Sequence, residues 1–194
     1  MISMAYLLQA LVTLVQFVIG IYLILVLLRF LFQLVRADFH NPISQAIVTV
    51  TNPPLRILRK IVPGFAGIDW PSIILLLSVQ ALEISLIALL VTGNMPSATA
   101  LILLCIAHLL QLTAFVYMFC IIIIVVVSWI NPGAYNPMTV LIYQLTDPLM
   151  RQVRRRVPTT AGLDWSPMIV LLGIYLFLSL VVAPLMDFGN SLNR

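Results

Sequence analysis

The chain holds 194 residues, 62% of them hydrophobic and only 8% charged, with a net charge of +4 and a mean hydropathy of +1.15. A soluble domain carries about a quarter of its residues charged, so this composition excludes a water-soluble globule and expects lipid as the solvent. Its basic balance does not imply nucleic acid, because no water-facing domain is left to carry such a site; anionic phospholipids or an acidic partner fit better.

Residues 3–34 make one long apolar run, charged only at Arg29. A bilayer core needs roughly 20 helical residues, so the run spans with turns to spare. It lacks the basic start and short apolar core of a cleavable signal peptide. Arg29 reads as an arginine that snorkels its guanidinium to the interface, with a buried functional cation as the competing reading.

Residues 41–70 return, without a gap, as residues 136–165. Each position matches the one 95 residues on, and thirteen of the thirty pairs are identical. Hydrophobic composition alone does not hold an offset for that long, so the chain is a tandem duplication, here divided as residues 1–94 and 95–194. Asn41-Pro42 and Asn136-Pro137 are helix-start signals, since Asn caps and Pro fits the first helical position. The apolar run that follows is too short to span and lies in the interface. A second start is expected at Asn52-Pro53 and at Asp147-Pro148, where the Asp carboxylate also complements the positive helix end.

The short helix after that start carries Arg56, Arg59 and Lys60 on one face, at i, i+3 and i+4. Arg151, Arg154 and Arg155 repeat the spacing, and Arg156 adds a fourth cation. Leu55, Leu58 and Val62, or Met150, Val153 and Val157, form the opposite face, and Pro63 and Pro158 end the helix. Gly67, Asp69 and Trp70, with Gly162, Asp164 and Trp165, then turn the chain back into the bilayer. Trp suits the headgroup layer. The two aspartates are expected to cap the incoming helix or pair with the upstream arginines, ahead of any proton-transfer role.

The second span covers residues 72–91, an uncharged turn covers 92–97, the third span covers 98–129, and the fourth covers 168–186. Cys105 and Cys120 would lie ~22 Å apart on one helix at 1.5 Å per residue, too far for a disulfide, and read as small core residues. Glu83 and His108 flank the uncharged turn at similar depth. A lone ionised carboxyl there is costly, so Glu83 is expected to face the bundle interior and hydrogen-bond His108 or Gln111. A proton relay or ion site is the functional alternative.

Both basic segments follow an odd-numbered span, so they share one side of the membrane. Basic loops stay cytoplasmic, which puts both termini outside. The fold class that follows is all-α: four transmembrane helices as two parallel hairpin repeats, each with a short amphipathic cytoplasmic segment.

The pattern N-P…T-[DN]-P-[LP]-x-R-x-x-[RK]…P…G-[IL]-D-[WS] is carried by Asn41, Pro42, Thr51, Pro53, Arg56, Arg59, Pro63, Gly67 and Asp69. Its second copy is Asn136, Pro137, Thr146, Pro148, Arg151, Arg154, Pro158, Gly162 and Asp164. On these residues the chain resembles the YggT family of bacterial integral membrane proteins over essentially its whole length. Asn52-Pro53-Pro54 departs from the family's usual aspartate or glutamine, then Pro and an aliphatic residue. The resemblance implies a small plasma-membrane protein without established enzymatic activity, linked to tolerance of osmotic or extracytoplasmic stress. Relatives in Gram-positive bacteria and plastids are associated with cell division, nucleoid distribution and cytochrome assembly.

The function expected is therefore a non-enzymatic organiser of the inner membrane. Its duplicated cationic helices would bind anionic phospholipids, and a membrane-protein partner or a homo-oligomer is possible. A channel or transporter for osmotic or ion homeostasis is the alternative, and would need several subunits to enclose a lumen. No Ser/His/Asp set, metal-ligand spacing, paired carboxylates or phosphate-cradling glycine loop is visible, and no cofactor, metal or nucleic acid is expected.

Overall fold

A computed structural model describes residues 2–65, 67–130, 136–157 and 164–192. Seven α-helices follow one another among these residues: α1 (Ile2–Leu34), α2 (Pro42–Ile61), α3 (Trp70–Thr92), α4 (Ala98–Ile130), α5 (Pro137–Arg154), α6 (Ser166–Phe177) and α7 (Ala183–Ser191). A π-wound turn, Leu178–Val182, joins α6 to α7, and Pro184 lies just beyond it. Proline has no N–H to give the preceding turn, and a widened turn is one way a helix absorbs that loss.

Among the described residues four segments are long and apolar enough to cross a membrane: Met4–Leu34, Trp70–Thr92, Ala98–Ile130 and Ser166–Ser191. The last runs further than residues 168–186, because α7 continues the fourth span through the proline. In the bundle α3 lies between α1 and α4, α4 packs on α6 and α7, and α1 touches α4 only lightly. α2 packs on α1 and α3 of its own copy, α5 on α4 and α6 of its own. The two copies therefore run in the same direction, and α2 meets α5 at one end of the molecule.

That end holds the main core. Leu23, Val26, Leu27 and Leu31 of α1 bury against Leu55 of α2 and Leu141 and Leu145 of α5. Away from it the spans present apolar side chains outward, such as Leu7, Leu14 and Phe17 of α1 and Ile102 and Ile106 of α4. Helices whose apolar residues run all the way round expect lipid on the faces that protein does not cover. Both cysteines are buried on α4.

Local chemistry sets the ends of these helices. α1 closes with Arg36 at φ 55°, where the Ala37 N–H reaches the Phe32 carbonyl at 2.8 Å and the Arg36 N–H reaches Gln33 at 3.1 Å. This is a Schellman closure with arginine where glycine is usual. Asn41 caps α2 by accepting the Ile43 N–H at 2.9 Å, and Pro42 stands in the first turn. Asn136 caps α5 through a capping box with Thr139, and Gly93 at φ 73° closes α3.

The expected second helix start is not formed. α2 runs unbroken through Pro53 and Pro54, and α5 through Pro148. The prolines remove the donors for the carbonyls of Thr49 and Val50, but both residues lie on the exposed side of α2, where water or headgroups can serve those carbonyls.

Asn41 does two jobs, because its Nδ2 also donates to the Pro137 carbonyl of the other copy at 2.7 Å. Asn41→Ala should therefore cost about 2 kcal/mol of unfolding free energy, a lost cap plus a lost cross-link, and Asn136→Ala about 1 kcal/mol. Chemical denaturation in detergent micelles measures both, and equal losses would remove the second job.

Candidate membrane-interface site

Each cationic helix is tied to the span that follows it by the same clasp. In the first copy Arg59 Nη2 donates to Asp69 Oδ2 at 2.8 Å, and the Ser72 hydroxyl donates to the same oxygen at 2.7 Å. In the second copy Arg154 Nε donates to Asp164 Oδ2 at 2.8 Å, and the Ser166 N–H donates to Oδ1 at 2.9 Å. The local pairing expected of the two aspartates is thus present in both copies, ten residues apart in sequence each time. Asp69 is 4% exposed whereas the Asp164 side chain is 34% exposed, so the first clasp is buried and the second is open to its surroundings. Partial burial raises the Asp164 carboxyl, but the hydrogen bonds from Ser166 and the Arg154 guanidinium outweigh it and hold the group below the usual aspartate range.

Among the described residues the first copy has a second anchor that the second lacks. Arg29 is 5% exposed; its Nη1 donates to Thr51 Oγ1 at 2.8 Å and to the Val48 carbonyl at 3.3 Å, and its Nη2 donates to Asn52 Oδ1 at 3.2 Å. The snorkelling reading of Arg29 is corrected: its guanidinium binds α2 inside the protein. Burial of a guanidinium is tolerable only where its N–H groups find acceptors, and the α2 turn before Pro53 offers a carbonyl, a hydroxyl and an amide oxygen together.

These contacts divide the duplicated cations into two groups. Arg59 and Arg154 are held by the clasps, and Arg151 pairs with Asp147 one turn back on α5. Arg56, Lys60, Arg155 and Arg156 are exposed and meet no acidic group at ion-pair distance among the described residues. Opposite them Leu55 and Met150 are buried, and Leu58, Val62, Val153 and Val157 are half-buried. Trp70 and Trp165 open the following spans half-exposed, and Gly67 takes φ 77° in the turn that Pro63 begins. Pro158 and Gly162 lie outside the described residues.

The expected hydrogen bond of Glu83 to His108 or Gln111 is not formed among the described residues. Glu83 Oε2 accepts from Gln80 Nε2 at 2.8 Å, and His108 Nδ1 is buried with no hydrogen-bond partner. Gln80 lies three residues before Glu83 on the same face of α3, so it reaches the carboxyl without needing any register between helices. Among the described residues no group of His, Cys, Asp and Glu is arranged to hold a metal.

Sequence reasoning missed Gln80, Ser72 and the Arg29 acceptors. One signal for Arg29 was available: the residue 95 positions on is Ile124, so a charge stands in one copy where the other has an aliphatic side chain.

The family model described as CCB3/YggT matches residues 8–90 and again residues 103–185, two segments offset by the same 95 positions. An uncharacterised protein of Pseudomonas aeruginosa is 40% identical over 164 residues, covering 84% of this chain and 83% of that protein. The uncharacterised protein YggT of Escherichia coli strain K12 is 32% identical over 176 residues, 90% of each chain. An uncharacterised protein of Haemophilus influenzae is 32% identical over 162 residues, covering 84% and 85%. No solved structure matches the chain.

Two measurements test the anchors. Arg29→Met keeps the aliphatic stem and removes the donors, and should cost about 2 kcal/mol in chemical denaturation, with faster amide exchange around Thr51. Because the folded-state pKa of Asp164 is depressed, its stabilisation is complete above the ordinary aspartate value and is lost as pH falls through the lower folded-state value. Acid melts of the wild type should therefore show a loss in that window that Asp164→Asn lacks, and identical acid limbs would show that the clasp contributes nothing.

Proposed function

The chain belongs to the CCB3/YggT family of membrane proteins, and we propose that it is a non-enzymatic organiser of the bacterial inner membrane that supports tolerance of osmotic or extracytoplasmic stress. In this reading α2 and α5 act as paired amphipathic helices on the cytoplasmic leaflet, with both termini outside. Orientation follows from the positive-inside rule, since the two cationic segments at the α2–α5 end carry six arginines and one lysine.

The single observation that carries the reading is the division of the cations. Arg59, Arg151 and Arg154 pair with aspartates within the protein, whereas Arg56, Lys60, Arg155 and Arg156, likewise exposed at the end where α2 meets α5, meet no acidic group among the described residues. Cations kept only to set topology need no such division. Each exposed cation near an anionic leaflet contributes roughly 1 kcal/mol, so four can hold anionic phospholipids, or the acidic face of a membrane-protein partner, against this end.

A variant with Arg56, Lys60, Arg155 and Arg156 all changed to Glu should insert and melt like the wild type. It should lose its enrichment of anionic lipid on purification and fail to protect a host lacking its own copy under osmotic stress. Reversal of Arg59 and Arg154 should instead lower the melting temperature by opening the clasps. Normal protection by the fourfold variant, with normal insertion, would leave the cations a topological role alone.

A further inference from the structure

The two copies differ at one place that the duplication brings into register. In the first, the Arg29 guanidinium sits against Thr51 Oγ1, the Val48 carbonyl and Asn52 Oδ1. Ninety-five residues on, those four positions are Ile124, Thr146, Tyr143 and Asp147. The shorter, apolar Ile124 cannot reach across, and a cavity of about 240 Å³ lies there, lined by these four residues with Arg151 and Arg154 beside them.

The acceptor set is kept in the second copy. The Thr51 hydroxyl donates to the Ile47 carbonyl at 2.7 Å, and the Thr146 hydroxyl donates to the Ile142 carbonyl at 2.9 Å. Both hydroxyls therefore keep their lone pairs for an outside donor; Thr51 receives Arg29, and Thr146 receives no donor among the described residues. Asn52 has become Asp147, so the second acceptor set also carries a negative charge, which Arg151 offsets from the adjacent turn.

We infer that this cavity binds the headgroup of a phospholipid with a primary ammonium group. The ammonium takes the place that the Arg29 guanidinium fills in the first copy, donating to Thr146 Oγ1, the Tyr143 carbonyl and Asp147. Arg151 spends one Nη on Asp147 and Arg154 spends its Nε on Asp164. A guanidinium has five N–H donors, so both retain donors for the phosphate that such a headgroup carries next to its ammonium. Acceptors and cations around one small cavity suit a zwitterion better than a simple anion, and the end of a span beside a cationic helix is where headgroups lie. The inference does not rest on the anionic-lipid reading, which uses Arg56, Lys60, Arg155 and Arg156.

Delipidated full-length protein in detergent would be titrated with phosphatidylethanolamine or phosphatidylcholine of identical acyl chains and read by native mass spectrometry. The choline ammonium has no N–H to donate, so phosphatidylethanolamine should bind roughly tenfold tighter. Ile124→Arg, which supplies the guanidinium found in the first copy, should erase that preference. Thr146→Val keeps the side-chain volume, removes one acceptor and should weaken the preference, so it decides the matter if Ile124→Arg fails to fold. Equal binding of the two lipids, or a preference untouched by both variants, would overturn the assignment. So would tighter binding of phosphatidylglycerol than of phosphatidylethanolamine by a variant with Arg56, Lys60, Arg155 and Arg156 changed to Gln, which leaves the cavity alone, or retention of an arginine amide with no preference between lipids, which would give the cavity to a partner's arginine.

Discussion

The arrangement depends on closing a polar loop beside an apolar bundle. Each cationic helix must leave the bilayer, lie across the ends of its two spans and hand the chain back, and the clasp between an arginine and the aspartate ten residues on fixes that return. Arg59–Asp69 and Arg154–Asp164 have the same spacing and the same 2.8 Å contact. An aspartate as buried as Asp69 is tolerable only because a guanidinium and the Ser72 hydroxyl both reach its Oδ2. With the return fixed, Leu55 and Met150 are set against the spans and the remaining cations face away.

Much of this was legible in the sequence because it is local or periodic. The 95-residue offset and the four apolar runs are patterns along the chain itself, and the Asn-Pro helix starts and the aspartate pairing follow from spacings within about one helical turn or one short loop. What was not legible depended on packing between distant elements. Pro53 and Pro148 read as helix starts, but α2 and α5 run through them, in α2 because the freed carbonyls of Thr49 and Val50 fall on an exposed face. Glu83 was matched to His108 by depth alone, and depth does not set rotation about the helix axis; Gln80, one turn away, needed none. Arg29 looked like a residue reaching for the interface, and its partners on α2 become visible only once α1 and α2 are in contact.

Duplication gave the molecule two versions of one device, and the versions have diverged in burial. The first is closed: Arg29 fills its acceptor set, Asp69 is hidden, and Asn41 reaches into the other copy. The second is more open, with Asp164 partly exposed, Arg155 and Arg156 turned outward and Ile124 leaving its cavity unfilled. The first copy thus acts as the anchor of the bundle, and the second carries more of its chemistry on accessible surface.

The four spans are not the same length. α1 and α4 have 33 residues each and α3 has 23, so at 1.5 Å per residue the outer pair reach ~50 Å and the helix between them ~35 Å. A hydrocarbon layer ~30 Å thick matches the shorter one nearly upright. The longer pair must lean, thicken the lipid around them or carry apolar turns beyond it, each at a fraction of a kcal/mol per Å. Since α2 and α5 are fastened to the ends of those two helices, a change in bilayer thickness would alter how deep the cationic pair sits to the extent that α1 and α4 lean.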